Sequence, residues 1–261
     1  MKKFLAIVLY IVLFISCIPN KELIYFQGDP KQNETVQKLQ NEPYKLQVND
    51  ILDIQIKSSD EKLVALFKNE NTSGQSGSVF SNEKIYFTGY SIDEQGNIRL
   101  PYIGDINVLG YTTKEVREKI DKEFEAYFKN PDDVFTTVKL AGIRFTVLGE
   151  VGSTGTVILY QNQVNLIEAI ANAGDIAITG NRKNVTIYRK NIDGTKKYQV
   201  DMLDVASFDS DNFFIQSNDI IYVEPLKQKS WGTGTSGMQT ITSLIAVMSL
   251  VTTTILLINA L

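Results

Sequence analysis

Residues 44–56, YKLQVNDILDIQI, determine how the chain around them folds. Apolar residues alternate with polar ones on both sides of Asn49 and Asp50, and the apolar members are Leu46, Val48, Leu52, Ile54 and Ile56. An alternation of period two predicts two strands that each bury one face. Asn49 and Asp50 suit the turn between the strands, because both residues tolerate left-handed backbone and bond to their own main chain.

The residues that follow predict a small mixed β/α unit over residues 42–141. Further strands are predicted at residues 85–92, 97–100, 102–108 and 133–140. Thr112 and Glu115 form a capping box, in which each side chain satisfies a free amide at a helix start. The helix is predicted to end at residues 130–131, and its apolar stripe consists of Val116, Ile120, Phe124 and Tyr127.

A second unit is predicted over residues 142–226. It opens with an alternating strand at residue 143, and a glycine-rich loop at 149–155 leads into another strand at 156–160. Asn165 and Glu168 predict the start of a helix that ends at Gly174. Later strands are predicted at 184–190, 196–200 and 219–223. This order suits a compact β-grasp, so the fold class expected for the chain is α+β.

The two ends of the chain predict attachment to a membrane. Residues 1–16 have a basic start and a short apolar core, which is typical of a signal peptide. Cys17 then predicts a site of lipid attachment, although an ordinary cleaved signal or an uncleaved anchor stays open. Residues 17–41 read as a polar tether and 227–240 as a linker. Residues 241–261 carry no charge and predict a transmembrane helix about 31 Å long.

Composition excludes several kinds of site. The chain has 261 residues, no histidine and a single cysteine, so zinc sites and Ser-His or Cys-His catalysis are excluded. Its 26 basic and 30 acidic residues give a net charge of −4, which argues against nucleic acid as a partner. We therefore expect no metal, no cofactor and no catalytic residues.

Two patterns allow other chemistry. The glycines of loop 149–155 have the spacing of a dinucleotide fingerprint, but the flanking residues predict strands on both sides, which favours a plain turn. Two aspartate pairs have the carboxylates that a glycosidase needs, and they are Asp50 with Asp53 and Asp132 with Asp133. Carboxylates beside turns are usually solvated or capping groups, so we expect no enzyme.

Three motifs carry a family resemblance. Residues 44–56 resemble the opening motif of the outer-membrane polysaccharide export family, the Wza-type lipoproteins, and residues 96–110, GNIRLPYIGDINVLG, are similar to its second signature. Residues 149–151 and 168–174 resemble the start of an SLBB domain, the β-grasp module that follows in this family. The motif positions at turns are Asn49, Asp50, Gly96, Pro101, Gly104, Gly149 and Gly174. Asn49 replaces a glycine that is usual there, and one SLBB unit is found where longer members have more.

The resemblance implies the function and the partners. It implies a homo-oligomeric ring that forms a channel in the outer membrane for capsular or extracellular polysaccharide, with the body in the periplasm. It also implies contact with outer-membrane lipid and an inner-membrane partner of the polysaccharide copolymerase or tyrosine-kinase type. Resemblance to this family implies no enzyme activity.

The C-terminal segment carries a prediction of its own about the pore. Thr242, Ser249, Thr252 and Asn259 follow one another at steps of seven, three and seven, so they lie close together on a helix and predict a weakly polar face toward a pore. Such hydroxyls also bond back to their own helix, which keeps a single-span anchor open. The alternative function is a monomeric, membrane-anchored lipoprotein that binds a glycan or another ligand.

Overall fold

The computed structural model describes residues 20–28, 43–58, 86–125, 127, 134–191, 194–210, 212–230 and 237–260. The predicted signal segment at residues 1–16, the predicted lipid-attachment residue Cys17 and residues 29–42 of the tether lie outside the described residues. Asp132, Asp133 and linker residues 231–236 also lie outside them.

The first unit combines one helix with short sheets. Its elements are β1 (Ile51–Ser58), β2 (Tyr90–Ser91), β3 (Asn97–Leu100), β4 (Gly104–Asn107), α1 (Thr113–Phe124) and β5 (Val134–Leu140). Strand β1 pairs antiparallel with both β2 and β5, and β3 pairs antiparallel with β4. Helix α1 buries Val116, Ile120 and Phe124, because these residues recur on one helical face.

The start of α1 confirms the predicted capping box. The N–H of Glu115 donates to Thr112 Oγ1 at 3.2 Å, and the N–H of Thr112 donates to Glu115 Oε2 at 2.7 Å. The helix ends at Phe124, earlier than predicted, because the next amides bond three residues back and tighten the chain. Tyr127 therefore leaves the apolar stripe and is 44% exposed.

Three predicted strands of the first unit are absent or shorter than predicted. The segment before Asn49 is no strand, because the N–H of Leu46 donates to the Tyr111 carbonyl oxygen and the Leu46 carbonyl accepts from Gly110, both at 2.9 Å. The backbone of Leu46 is thus hydrogen-bonded to the loop after β4 and not to β1. The strand predicted at residues 85–92 is limited to β2, and β4 is shorter than predicted.

The second unit is built on a mixed sheet. Its elements are β6 (Ile143–Gly149), β7 (Gly155–Leu159), β8 (Val164–Asn165), α2 (Leu166–Asn172), β9 (Gly180–Asn191), β10 (Gly194–Val200), a 3-10 helix (Val205–Asp209), β11 (Phe214–Ile215) and β12 (Ile220–Pro225). The main sheet has the order β10-β9-β12-β6-β7, in which only β12 and β6 are parallel among the described strands. Strand β8 pairs with β11. The capping box predicted for α2, made by Asn165 and Glu168, is confirmed.

One buried apolar cluster extends through both units. It includes Leu52 and Val116 of the first unit and Phe145 and Ile221 of the second, all of them 0% exposed. Burying a side chain of this size stabilises a fold by roughly 1.5–3 kcal/mol. The two units are therefore packed on each other and not merely linked.

The second unit has two distinct ends, set by its parallel strands. Near the first residues of β6 and β12, the N–H of Asn218 donates to the Arg144 carbonyl oxygen at 2.6 Å, and this end adjoins the first unit. We call it the joint. Gly149, the last residue of β6, pairs with Val223 of β12 at the opposite end, which we call the far end. Six steps of about 3.3 Å along β6 separate the two ends by about 20 Å.

The C-terminal transmembrane helix predicted at residues 241–261 is wrong. After α3 (Lys227–Ser230), helix α4 (Gly237–Ala260) forms there, but no helix among the described residues is both long and apolar enough to cross a membrane. Hydroxyl side chains such as Thr242, Ser249 and Thr252 interrupt the apolar run, and each polar group reduces the gain from transfer into lipid. The remainder of the predicted class, a mixed arrangement of helices and sheets, is present.

Candidate functional site

The joint contains two turns with the same sequence pattern, Gln-x-Asn-Asp. The turn at residues 47–50 precedes β1, and the turn at 216–219 precedes β12. In both turns the Asp N–H donates to the Gln carbonyl oxygen at 3.2 Å, and the Asn backbone is left-handed, with φ of +69° at Asn49 and +67° at Asn218. Each Asp carboxylate also accepts the Gln N–H, at 2.9 and 2.8 Å. The same self-bonded turn therefore starts one strand in each unit.

Asp50 of the first turn is a buried acid. It is 3% exposed, and its Oδ2 accepts a hydrogen bond from the Tyr44 hydroxyl at 2.9 Å. Burial raises the pKa of Asp50, while the nearby Ser217 hydroxyl and hydrogen bonds from Gln47 and Tyr44 oppose that rise. Burial raises the pKa of Tyr44 as well, and the charge of Asp50 adds to this shift. No lysine or arginine among the described residues forms an ion pair with Asp50.

Asp219 of the second turn is buried against a cation. Its carboxylate accepts Nη2 of Arg189 at 2.7 Å and Nε at 2.9 Å, which is a bidentate pair. Arg189 is 6% exposed and Asp219 is 1% exposed. Arg189 Nη2 also donates to the Phe214 carbonyl oxygen at 2.9 Å, so the guanidinium ties β9 to the chain around β11. The second turn is thus held from inside the second unit.

The two turns contact each other. Gln47 Nε2 donates to Gln216 Oε1 at 2.7 Å, across 169 positions of sequence. Ser217 of the second turn is buried beside Asp50 of the first and lowers the pKa of that carboxyl. Polar contacts between matching positions therefore accompany the apolar cluster that crosses the joint.

At the far end, Glu150 holds the segment that leaves the second unit. Its carboxylate accepts Nζ of Lys229, in α3, at 2.5 Å and also accepts the hydroxyl of Thr179. The hydrogen bonds from Lys229 and then from Thr179 lower the pKa of Glu150. The N–H of Leu226 donates to the Thr179 carbonyl oxygen at 2.7 Å, which fixes the chain just after β12.

Residues 20–28, which follow Cys17 closely, dock on the second unit at the far end. The Tyr25 hydroxyl donates to Asp175 Oδ1 at 2.5 Å, and the Arg182 guanidinium lies 5.1 Å from the centre of the Tyr25 ring. The N–H of Gln27 donates to the Leu203 carbonyl oxygen. Burial, with help from Asp175, raises the pKa of Tyr25 to about 12.

Two glycines at the far end allow a close backbone approach. A Cβ on Gly149 would lie 2.0 Å from the Val223 carbonyl oxygen, and one on Gly152 would lie 2.4 Å from the Gly174 carbonyl oxygen. Loop 149–155 leads into strand β7 and not into a helix, so it lacks the helix start on which dinucleotide phosphates bind. Gly149 and Gly152 serve close packing in this structure, whereas a Cβ on Gly155 would meet nothing within 4 Å.

The structure places the sequence-predicted residues in four regions. Asn49 and Asp50 lie at the joint, while Gly96, Pro101 and Gly104 lie in or beside the β3–β4 hairpin, and Gly149 and Gly174 lie at the far end. In α4, Thr242, Ser249 and Thr252 are exposed, and the Thr252 hydroxyl donates to the Met248 carbonyl oxygen at 2.9 Å. Asn259 lies in α4, and its side chain is outside the described part. That these four residues face a pore stays a prediction.

Sequence reasoning missed the second half of the joint. Gln216, Asp219 and Arg189 carry its polar contacts, yet none of them was singled out from the sequence. The signal was present, since residues 47–50 (QVND) and 216–219 (QSND) are nearly the same and both precede apolar strands. Arg182 and Asp175, which hold Tyr25, had no such signal, because their contact spans 150 positions.

Other chemistry finds little support in the described residues. They contain no group of three or more His, Cys, Asp or Glu side chains arranged to hold a metal ion. Asp53 accepts a hydrogen bond from Gln55 Nε2 at 2.9 Å, and Asp50 faces the joint, so the structure gives these two carboxylates separate partners.

Comparison with known families accounts for both units. A model described as polysaccharide biosynthesis/export protein matches residues 38–140, and a model described as SLBB domain matches residues 143–223. The chain belongs to the polysaccharide export family. The boundary between the two matches falls between β5 and β6, where the first unit meets the second.

Two curated relatives show the same likeness to export proteins. The chain is 28% identical over 205 residues to the EPS I polysaccharide export outer membrane protein EpsA of Ralstonia solanacearum, covering 75% of this chain and 52% of the relative. It is 30% identical over 140 residues to the protein of the same description in Ralstonia nicotianae, covering 52% of this chain and 36% of the relative. The matched region thus spans about half, or less, of each relative.

Proposed function

We propose that this chain is an outer-membrane lipoprotein that assembles into a ring and forms a channel for the export of capsular or extracellular polysaccharide. The observation that carries the proposal is the pairing of an export unit with an SLBB unit in one packed body. Relatives that are named polysaccharide export outer membrane proteins share most of this body. The chain makes and breaks no bond in this function.

Attachment and partners complete the proposal. Cys17 carries the lipid that holds the chain to the inner leaflet of the outer membrane, with the body in the periplasm. The polysaccharide passes through the ring, and its passage is driven by synthesis together with an inner-membrane partner of the copolymerase or tyrosine-kinase type. In this proposal residues 42–141 are the export domain and 142–226 are the SLBB domain.

Assembly is tested on the full lipidated chain in mild detergent. Mass photometry and electron-microscope class averages should show closed rings of uniform size. A clean monomer that binds an oligosaccharide saturably would contradict the channel and support an anchored glycan-binding lipoprotein instead.

Export is tested in cells that lack the chain. Wild-type chain should restore surface polysaccharide, whereas a Cys17→Ser variant should fail, because it loses the acyl chains that hold the protein to the membrane. Immunoblots of membrane fractions show whether the variant is made, and an exposed substitution such as Glu94→Gln serves as the matched control. Full restoration by Cys17→Ser would contradict the lipid anchor but not the channel.

A further inference from the structure

One face of the main sheet in the second unit is open to solvent. The opposite face carries buried side chains such as Phe145 and Ile221. Successive side chains of a strand point to alternate faces, so the residues between the buried ones share the open side. Leu148 is 42% exposed there, Ile158 is 43% exposed and Ile220 is 40% exposed. We call this side the outer face.

The pairing registers arrange the outer face in rows that run across the strands. The middle row consists of Lys197, Tyr188, Ile220, Thr146 and Thr156. The next row toward the far end consists of Gln199, Thr186, Tyr222 and Leu148. Toward the joint, Lys190 lies opposite Thr195, and Arg144 lies opposite Ile158. Neighbouring strands lie about 4.8 Å apart, so a row across five strands is about 19 Å wide.

The outer face is basic, although the chain as a whole has a net charge of −4. Arg144, Lys190 and Lys197 are exposed on it, and none of the three forms an ion pair within the part of the chain that the structure describes. The carboxylate that the described strands place on this face is that of Glu224, which accepts Nδ2 of Asn184 at 3.0 Å. Three unpaired cations on one face of an acidic chain are complementary to a ligand that carries negative charge.

The mixture of side chains on the outer face favours a sugar polymer over a protein or a lipid. The hydroxyls of Thr146 and Thr156, 3.4 Å apart, lie between Ile158 and Leu148, so polar groups interrupt the apolar ones. Protein interfaces and lipid surfaces bury a more continuous apolar patch. A sugar ring has an apolar face bordered by hydroxyls, and tyrosine offers the same combination of an apolar ring and a polar end. A second copy that docked through the same face would bring like charges together.

We propose that the outer face binds a polysaccharide that carries acidic sugars. The rings of Tyr188 and Tyr222 stack on sugar rings, and Arg144 with the two lysines of the face binds sugar carboxylates. The guanidinium of Arg144 suits a planar carboxylate, whereas the lysines act as point charges. The inference rests on the proposed function for its cargo, since it states which class of polysaccharide the chain exports. Exposed contacts of this kind are individually weak, as the passage of a polymer requires.

The proposal is tested with a fluorescent oligogalacturonate, whose sugars carry carboxylates, and with its methyl-esterified form, which has the same sugars without the charge. Fluorescence anisotropy should show saturable binding of the acidic form to the full chain in mild detergent, and the ester should bind at least about tenfold more weakly. Arg144→Gln, Lys190→Gln and Lys197→Gln together should weaken binding of the acidic form at least about tenfold and leave that of the ester unchanged. Tyr222→Leu, which keeps an apolar side chain on the sheet, should weaken binding of both forms about fivefold.

A matched control removes three positive charges from the first unit. Its substitutions are Lys57→Gln, Lys122→Gln and Lys139→Gln, all at exposed positions. Lys57 lies opposite Phe135, which is 65% exposed, so the control surface also offers an aromatic ring. This variant should bind the acidic form as wild type does. Equal losses in the two triple variants would reveal attraction to charge in general and overturn the proposal, and so would equal binding of acid and ester to wild type.

Two further measurements separate the possible failures. Thermal unfolding should give the same midpoint for wild type and both triple variants, because all six side chains are exposed. Mass photometry should show the same assembly for all three chains, and loss of assembly in the outer-face variant alone would assign this face to contact between copies and overturn the proposal. Rings that bind neither sugar would overturn the outer face and leave the channel. A monomer that binds the acidic form selectively would support the outer face and overturn the ring.

Discussion

At the residue scale, the two aspartates of the joint occupy the same turn but opposite electrostatic settings. Asp219 pairs with buried Arg189, whereas Asp50 is buried without an ion-pair partner among the described residues. Removing one member of a buried pair leaves an uncompensated charge, which costs about 3–5 kcal/mol. Sequence shows both aspartates equally, so only the structure separates their roles.

Asp219→Asn should therefore lower the free energy of unfolding by about 3 kcal/mol or more. Asp50→Asn should cost about 1 kcal/mol or less, because asparagine keeps an acceptor for Gln47 and leaves no cation unpaired. Chemical denaturation of both variants measures the difference. Equal losses would show that Arg189 does not depend on Asp219 for its neutralisation.

Glu150 adds a pH dependence whose sign follows from its lowered pKa. A carboxyl with a lowered folded-state pKa stabilises the fold above its ordinary value of 4.5, and this contribution is lost as pH falls through the folded-state pKa. The free energy of unfolding of the wild type should exceed that of Glu150→Gln by about 0.5–1 kcal/mol above pH 4.5. This difference should disappear at lower pH. Denaturation curves between about pH 3 and 7 check this. The exposed control Glu94→Gln should show no such gap, and a gap that widens in acid would contradict the Lys229 contact.

At the scale of helices and strands, features set by neighbouring residues were predicted correctly, whereas those set by distant contacts were not. Both capping boxes follow from residues three positions apart, so the starts of α1 and α2 were visible in the sequence. The segment before Asn49 alternates like a strand, yet its backbone bonds to the loop at residues 110–111, more than sixty positions away. No local pattern reveals that competition.

Two glycines with the same backbone φ allow the cost of backbone strain to be measured apart from the cost of a steric clash. Gly104 and Gly149 both have φ of +93°, but a Cβ at Gly104 meets nothing within 4 Å, whereas one at Gly149 collides with the Val223 carbonyl. Gly104→Ala should cost about 1–2 kcal/mol from the backbone angle alone. Gly149→Ala should cost at least about 2 kcal/mol more, because β12 must move. Thermal unfolding measures the loss of stability in each variant. Similar losses would show that β12 moves at little cost.

Undocking of residues 20–28 can be measured by protease cleavage within the segment. Residues 22–28, ELIYFQG, match the recognition pattern of a viral protease used to remove tags, which cuts after Gln27. In the docked segment the Gln27 backbone is hydrogen-bonded to residues 203 and 205, so the protease should cut the wild-type chain slowly. Phe208→Ala removes the ring that contacts Phe26 and should weaken docking by roughly 1.4 kcal/mol. Cleavage of this variant should therefore be about tenfold faster. Electrophoresis of timed samples measures the rate. Phe135→Ala should leave the rate unchanged, and equal rates in all three chains would show that docking gives no protection.

At the scale of the whole molecule, sequence predicted two mixed units but not how they meet. The apolar C-terminal run predicted a spanning helix from its lack of charge, and that prediction is wrong, because no helix among the described residues is both long and apolar enough to cross a membrane. The joint was missed because its contacts link positions 169 residues apart. Only the repeated Gln-x-Asn-Asp pattern hinted at it.

Coupling across the joint is measurable with a double-mutant cycle. Gln47→Ala and Gln216→Ala should each destabilise the chain, and their combined effect should fall short of the sum by about 0.5–1.5 kcal/mol, because both variants remove one hydrogen bond. Gln47→Ala combined with the exposed Gln199→Ala should be additive. Calorimetry should show a single transition in wild type. Zero coupling in the first cycle would mean that the two turns touch without stabilising each other.

The parallel course of β6 and β12 has a mechanical meaning. The first unit adjoins one end of these strands, while the docked segment and the outgoing chain are fastened at the other. A pull between the two ends runs along the strands, so the hydrogen bonds between them are loaded together, in shear, and do not open one after another. The sheet is thus a stiff spacer under tension, suited to a body that is tethered at one end while force arrives at the other.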